Sequence, residues 1–150
     1  MLFAKERVLY ERCGYEVLDE VVRVPVAHGD EGAEPRVLAF AEVAERYTRW
    51  AAAAPDRLRR DERRWQYWRW TLRMCTEWGD GYLCLEGNTL REAVASRPPA
   101  GWRISEKAEW LGLREMGRAL GLPVDEGTHE LYLMGRAMPA SPQMFLTDQF

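Results

Sequence analysis

Residues 57 to 78 constrain this chain more than any other stretch. Arg57, Arg59, Arg60, Arg63, Arg64, Arg69 and Arg73 are interleaved there with Trp65, Trp68, Trp70 and Trp78, four of the seven tryptophans in the sequence. Wound as a helix at about 100° per residue, Leu58, Trp65, Trp68, Leu72 and Cys75 share one face. Tyr67, Trp70, Met74 and Trp78 fall nearly opposite, together with Arg60 and Arg63. A helix with two apolar faces cannot bury both against a single layer. One solution is a central helix held between a sheet and another helix, with arginine stems lying along the seams. The other leaves the Tyr67, Trp70 and Trp78 face open as a contact surface, since Trp, Tyr and Arg bury large rigid area and keep a polar handle.

Charge sharpens the second possibility. The seven arginines of residues 57 to 73, set against Asp61 and Glu62, give +5, so the remainder must sum to −8 to reach the net −3. A pI near 5.5 argues against a general polyanion binder, which is usually basic overall. Arginine outnumbers lysine 19 to 2, so part of this richness is background usage. With 150 residues, 47% hydrophobic and 30% charged, the chain has the composition of one globular domain. Such a chain buries roughly 70% of the surface its unfolded form exposes.

Cysteine usage and the opening residues bear on location. Cys13, Cys75 and Cys84 are odd in number and have no close pair in sequence, which fits a reducing compartment rather than a disulfide scaffold or zinc site. Met1 to Glu6 lack the apolar core of a signal peptide, and no run approaches the ~20 apolar residues of a membrane span. The expected location is the cytoplasm, with no membrane partner.

The rest of the chain reads as a mixture of strands and helices. Residues 7 to 26 look extended, with Val17, Val21, Val22, Val24 and Val26 supplying β-branched side chains. An acidic, turn-rich loop follows from His28 to Pro35, then a short apolar run at 37 to 40. Val43, Tyr47, Trp50, Ala51 and Ala54 recur at helical steps, predicting a helix over 41 to 53 that Pro55 ends. Gly79-Asp80-Gly81 closes the long arginine–tryptophan helix. Tyr82 to Leu85 reads as a strand, Thr89 to Ser96 as a short helix opened by a Thr-x-x-Glu capping box, and Ser105 to Gly121 as a further helix. Leu131 to Met134 is a last strand. The expected fold is α+β: a small antiparallel sheet packed against about four helices, one of them long and central. The expected domain is residues 1 to 136, with 137 to 150 as a tail that is mobile or docked.

Catalytic chemistry finds little support. His28 lies near Asp30, Glu31 and Glu34, but the spacing matches no metal signature, and a solvated loop explains it better. Cys75 and Cys84 lie on apolar faces, where cysteine acts as a small hydrophobe. No nucleophile elbow, phosphate loop or dinucleotide fingerprint occurs. Arg114 to Leu122 looks like the first helix and turn of a DNA-binding helix-turn-helix, yet Gly127 falls where the second helix needs an apolar anchor, and Asp125 and Glu126 would repel phosphates.

These readings converge on a non-catalytic regulator or adaptor without cofactor or metal. It would bind a protein partner of acidic or mixed apolar surface through Arg60, Arg63, Tyr67, Trp70, Met74 and Trp78. A transcription or other nucleic-acid machine is the kind of target such a small regulator could modulate. The alternatives are single-stranded nucleic-acid binding through the same helix, with arginines on phosphates and aromatics on bases, and a small enzyme of unknown class. The oligomeric state is left open by the sequence.

Overall fold

The computed structural model of the chain describes residues 1–26, 34–70, 73–99, 101, 102, 104, 107–138 and 142–148, with the side chain of Trp70 also outside that set. Seven strands form one mixed sheet: β1 (Leu2–Ala4), β2 (Glu16–Pro25), β3 (Met74–Trp78), β4 (Gly81–Glu86), β5 (Thr89–Val94), β6 (Glu109–Leu113) and β7 (Thr128–Gly135). Their order is β1-β7-β2-β6-β5-β4-β3. Every pairing is antiparallel except β5 with β6. Among the described residues, four α-helices accompany the sheet: α1 (Arg7–Glu11), α2 (Phe40–Ala52), α3 (Glu62–Trp70) and α4 (Arg114–Ala119). The fold is α+β and dominated by its sheet.

The long central helix expected over residues 57 to 78 does not form. Residues 57 to 61 are non-helical, α3 is 9 residues long, and β3 takes Met74 to Trp78. The reason lies in the glycines. Gly79 adopts φ +58° and starts a two-residue hairpin loop, as type II′ turns require, so Trp78 pairs with Gly81 instead of continuing a helix. Gly81 is also the point of closest approach to β5: a Cβ there would lie 1.5 Å from the Val94 carbonyl oxygen. Helix α3 starts where it does because the Asp61 carboxylate accepts the Arg64 N–H at 2.9 Å, capping the first turn.

Other elements differ from expectation for similar reasons. Thr89 to Val94 is a strand, not a capped helix: Leu90, Glu92 and Val94 alternate inward, and all three are fully buried. Residues 109 to 113 are strand β6, and of the described residues in the expected stretch only 114 to 119 are α-helical. The helix-turn-helix is absent, because the residues of its second helix run into strand β7. Residues 7 to 11 are helical rather than extended. By contrast, α2 is close to the expected helix and buries Val43, Tyr47, Trp50 and Ala51 of the apolar stripe. Its first turn is closed by Glu42, whose carboxylate accepts the Ala39 N–H at 3.0 Å.

Helix α2 packs on β4 and β5, and α4 on β2 and β6. The C-terminal segment adds another layer: Met144, Phe145, Leu146, Thr147 and Asp148 are all buried, and residues 146 to 148 touch α3, β5 and β6. Phe145 fits between Trp50 and Trp110, with ring centroids 5.7 and 6.3 Å away. Among the described residues, no helix is long and apolar enough to cross a membrane.

Candidate partner-binding surface

The arginines of residues 57 to 73 serve mostly the chain's own interior. Arg60, expected on the contact face, is inside: its side chain is 1% exposed. Its Nη2 donates to Glu92 Oε1 at 2.7 Å, and its Nε donates to Asp148 Oδ1 at 2.6 Å. The guanidinium lies 3.8 Å from the Tyr47 ring centroid and 4.8 Å from that of Trp65. Burial opposes the charge, yet the Glu92 and Asp148 carboxylates outweigh it and hold the guanidinium pKa well above its ordinary value. Glu92 in turn accepts from Trp68 Nε1 at 2.5 Å and from the Tyr82 hydroxyl at 3.0 Å. Burial and the adjacent Glu92 carboxylate push the Tyr82 phenol far up, so it remains a donor.

Around this centre the same segment clamps the C-terminal tail. Arg57 Nε donates to Gln143 Oε1, the Leu58 N–H to the Gln143 carbonyl, and the Gln143 N–H to the Asp56 carbonyl. Arg64 Nη1 donates to the Asp148 carbonyl at 3.3 Å. Arg69 stacks on Phe40 at 4.3 Å. Arg73 donates to Glu86 at 2.7 Å and to the Trp68 carbonyl. The aromatic residues are similarly engaged, Trp65 against Phe40 and Tyr47, and Trp68 against Trp65.

The six residues expected to meet a partner therefore do not share one face. Arg60 is internal, and Trp78 is 4% exposed, stacked on Trp102 at 4.9 Å with its Nε1 donating to the Gly101 carbonyl. Met74 is exposed but belongs to β3 rather than the helix. The backbone of Trp70 ends α3, and its side chain lies outside the described residues. Arg63 and Tyr67 do come together: one turn apart on α3, with the guanidinium 5.9 Å from the ring centroid. Arg63 is exposed and Tyr67 half-buried. They line two adjoining shallow depressions, one of about 430 Å³ shared with Glu62 and Gln66, the other of about 310 Å³ shared with Asp61 and Arg64.

Of the two histidines, His129 alone falls among the described residues. His28, Asp30 and Glu31 fall outside the described residues. His129 is on β7, 3.5 Å from Glu20 and against the Tyr132 ring. Among the described residues no group of three His, Cys, Asp or Glu side chains could hold a metal ion.

Two features escaped the sequence reading. The acidic partners Glu92 and Asp148 were signalled only by carboxylates close to apolar residues, Leu90, Ala93 and Val94 for the one and Phe145 and Leu146 for the other. Cys75 and Cys84, apart in sequence, are directly opposite each other on β3 and β4. Comparison with known proteins adds no relative: no family model, no curated protein and no solved structure matches the chain.

Proposed function

We propose that this chain is a non-catalytic regulatory or adaptor protein that binds a protein partner through the outer face of α3, centred on Arg63 and Tyr67. The observation that carries this reading is that these two residues line both depressions at the surface of α3 while the neighbouring arginines brace the interior. An exposed arginine beside a half-buried tyrosine is a typical hot-spot pairing: the ring supplies rigid area and the guanidinium supplies directed donors. Asp61 and Glu62 share the depressions, so the matching surface is mixed in charge and partly apolar rather than a phosphate backbone. Single-strand binding is less well supported, because Trp65, Trp68 and Trp78 pack against other rings and offer no stacking platform.

The test is capture of partners from lysate of the source organism by the immobilised protein, after nuclease treatment, compared with Arg63→Glu and Tyr67→Ala. A stoichiometric protein retained by the parent chain and lost by both variants, with melting temperatures held, supports the reading. Capture that disappears with nuclease, or that both variants retain, overturns it.

A further inference from the structure

The register of β3 on β4 places Cys75 opposite Cys84, and both are free and buried. Backbone hydrogen bonds define the kind of pair they make. The Cys75 carbonyl accepts the Leu38 N–H at 2.9 Å, and the Glu77 N–H donates to the Arg36 carbonyl at 2.8 Å. In an antiparallel ladder the N–H and C=O of one residue point to the same side. Cys75 therefore turns its backbone groups toward residues 36 to 38 and away from β4. Opposite Cys84 it forms the non-hydrogen-bonded kind of pair, the closer of the two, with Cα atoms about 4.5 Å apart. That spacing lies at the short end of the ~4.4 to 6.8 Å range that a disulfide spans. A bridge there closes without backbone rearrangement.

We propose that Cys75 and Cys84 form a reversible thiol–disulfide site, closed by a small-molecule disulfide and reopened by thiols. The Cys75 thiolate attacks one sulfur of the small disulfide, forming a mixed disulfide and expelling one thiolate. The Cys84 thiolate then attacks the Cys75 sulfur, forming the cross-strand bond and expelling the second thiolate. The two protons given up by the cysteines end on the two expelled thiolates. The protein loses two electrons, and the small disulfide is reduced to two thiols. Cys75 is the attacking residue because it lies on β3, the edge strand of the sheet, whose outer side meets, among the described residues, the short segment around the Val37–Thr76 bridge. Fraying of this edge strand exposes the Cys75 sulfur while the rest of the sheet stays paired. Cys84 is the resolving residue: it lies on β4 between β3 and β5, and the Cys75 sulfur, burial and the nearby Glu92 carboxylate push its thiol up, which makes it the poorer first nucleophile. It is also the link to the interior, since Cys84 is the register partner of Glu92 on β5.

The experiment treats the folded protein with oxidised glutathione, blocks remaining thiols with iodoacetamide and digests with trypsin. No Lys or Arg lies between Met74 and Leu90, so one tryptic peptide, residues 74 to 91, carries both cysteines, while Cys13 falls in another, 13 to 23. The expected product is the 74–91 peptide without alkylation and lighter by two hydrogens. Dithiothreitol before blocking should return it doubly alkylated, and circular dichroism should be unchanged throughout. A 74–91 peptide that stays doubly alkylated while Cys13 is glutathionylated overturns the proposal. So does an adduct that stops at one bound glutathione, or closure that occurs only at urea concentrations that unfold the sheet.

Discussion

Arg60 and Glu92 meet at 2.7 Å across 32 positions of sequence, and neither side chain is more than 1% exposed. Asp148 completes the arrangement from the far end of the chain at 2.6 Å. A segment that looks like a basic surface thus delivers its central arginine to the interior, where β5 and the C-terminal segment supply the counter-charges. Trp68, Tyr82 and Thr147 donate or accept at its edges, so most polar atoms are paired, although Arg60 Nη1 has no partner among the described atoms.

Arg60→Ala should destabilise the protein by about 3 to 5 kcal/mol in urea unfolding, because it leaves two buried carboxylates without their cation. Arg60→Lys should recover little, since an ammonium cannot reach both carboxylates with the forked geometry used here. An Arg60→Ala variant as stable as the parent chain would show that the cluster contributes nothing net to folding.

Trp78 and Arg63 separate interior from surface. Trp78→Ala should cost about 3 to 5 kcal/mol, as truncation of core aromatics does, because its ring is buried against Trp102 and its Nε1 satisfies the Gly101 carbonyl. Arg63→Ala, on the exposed face, should shift stability by no more than about 0.5 kcal/mol. Chemical denaturation of both variants checks the pair, and the reverse ranking would mean that the two faces of the segment have been exchanged.

How legible this was depends on the range of the interactions concerned. Helix α2 could be read because Val43, Tyr47, Trp50 and Ala51 record their burial in a local 3.6-residue period. Met74 to Trp78 could not, because Trp70, Met74 and Trp78 also fit helical spacing, and only pairing with β4 decides between the two. Thr89 and Glu92 match a capping box by residue type, yet the sheet's hydrogen bonds and the burial of Glu92 override that local preference. The placement of Arg63 and Tyr67 one turn apart follows from their helical positions, which the sequence did indicate. The inward turn of Arg60 depends on Asp148, 88 residues away, and no local pattern announces such a contact.

Asp19 gives the protein a pH dependence of defined sign. Burial pushes its carboxyl up from the ordinary aspartate value, against the Glu20 and Glu115 N–H groups and Arg114, which pull it down. Between the ordinary and the raised value the folded chain holds more protons than the unfolded one, so this group makes stability fall as pH rises through that window. Asp19→Asn keeps an oxygen to accept the Glu20 N–H, now at 2.7 Å, and carries no charge to desolvate. Its urea midpoint should exceed that of the parent at neutral pH, and the difference should vanish below the ordinary aspartate range. A midpoint lowered at neutral pH would show that the charge is needed, not merely tolerated.

Removal of residues 142 to 150 should be far more damaging than loss of a surface tail. Met144, Phe145 and Leu146 are 2%, 0% and 7% exposed, so deleting them uncovers Trp50 and Trp110 and removes about 1.5 to 3 kcal/mol of burial for each side chain. It also takes Asp148 from Arg60 and Gln143 from Arg57 and Leu58. Together these losses approach the whole ~5 to 15 kcal/mol stability of a small domain. The truncated chain should bind a hydrophobic dye and lose its near-ultraviolet circular dichroism, as loosely packed states do. A synthetic peptide of residues 137 to 150, added in excess, should restore the signal by refilling the same site. A truncated chain that melts cooperatively at the parental temperature would mean that the segment rests on a core able to close without it.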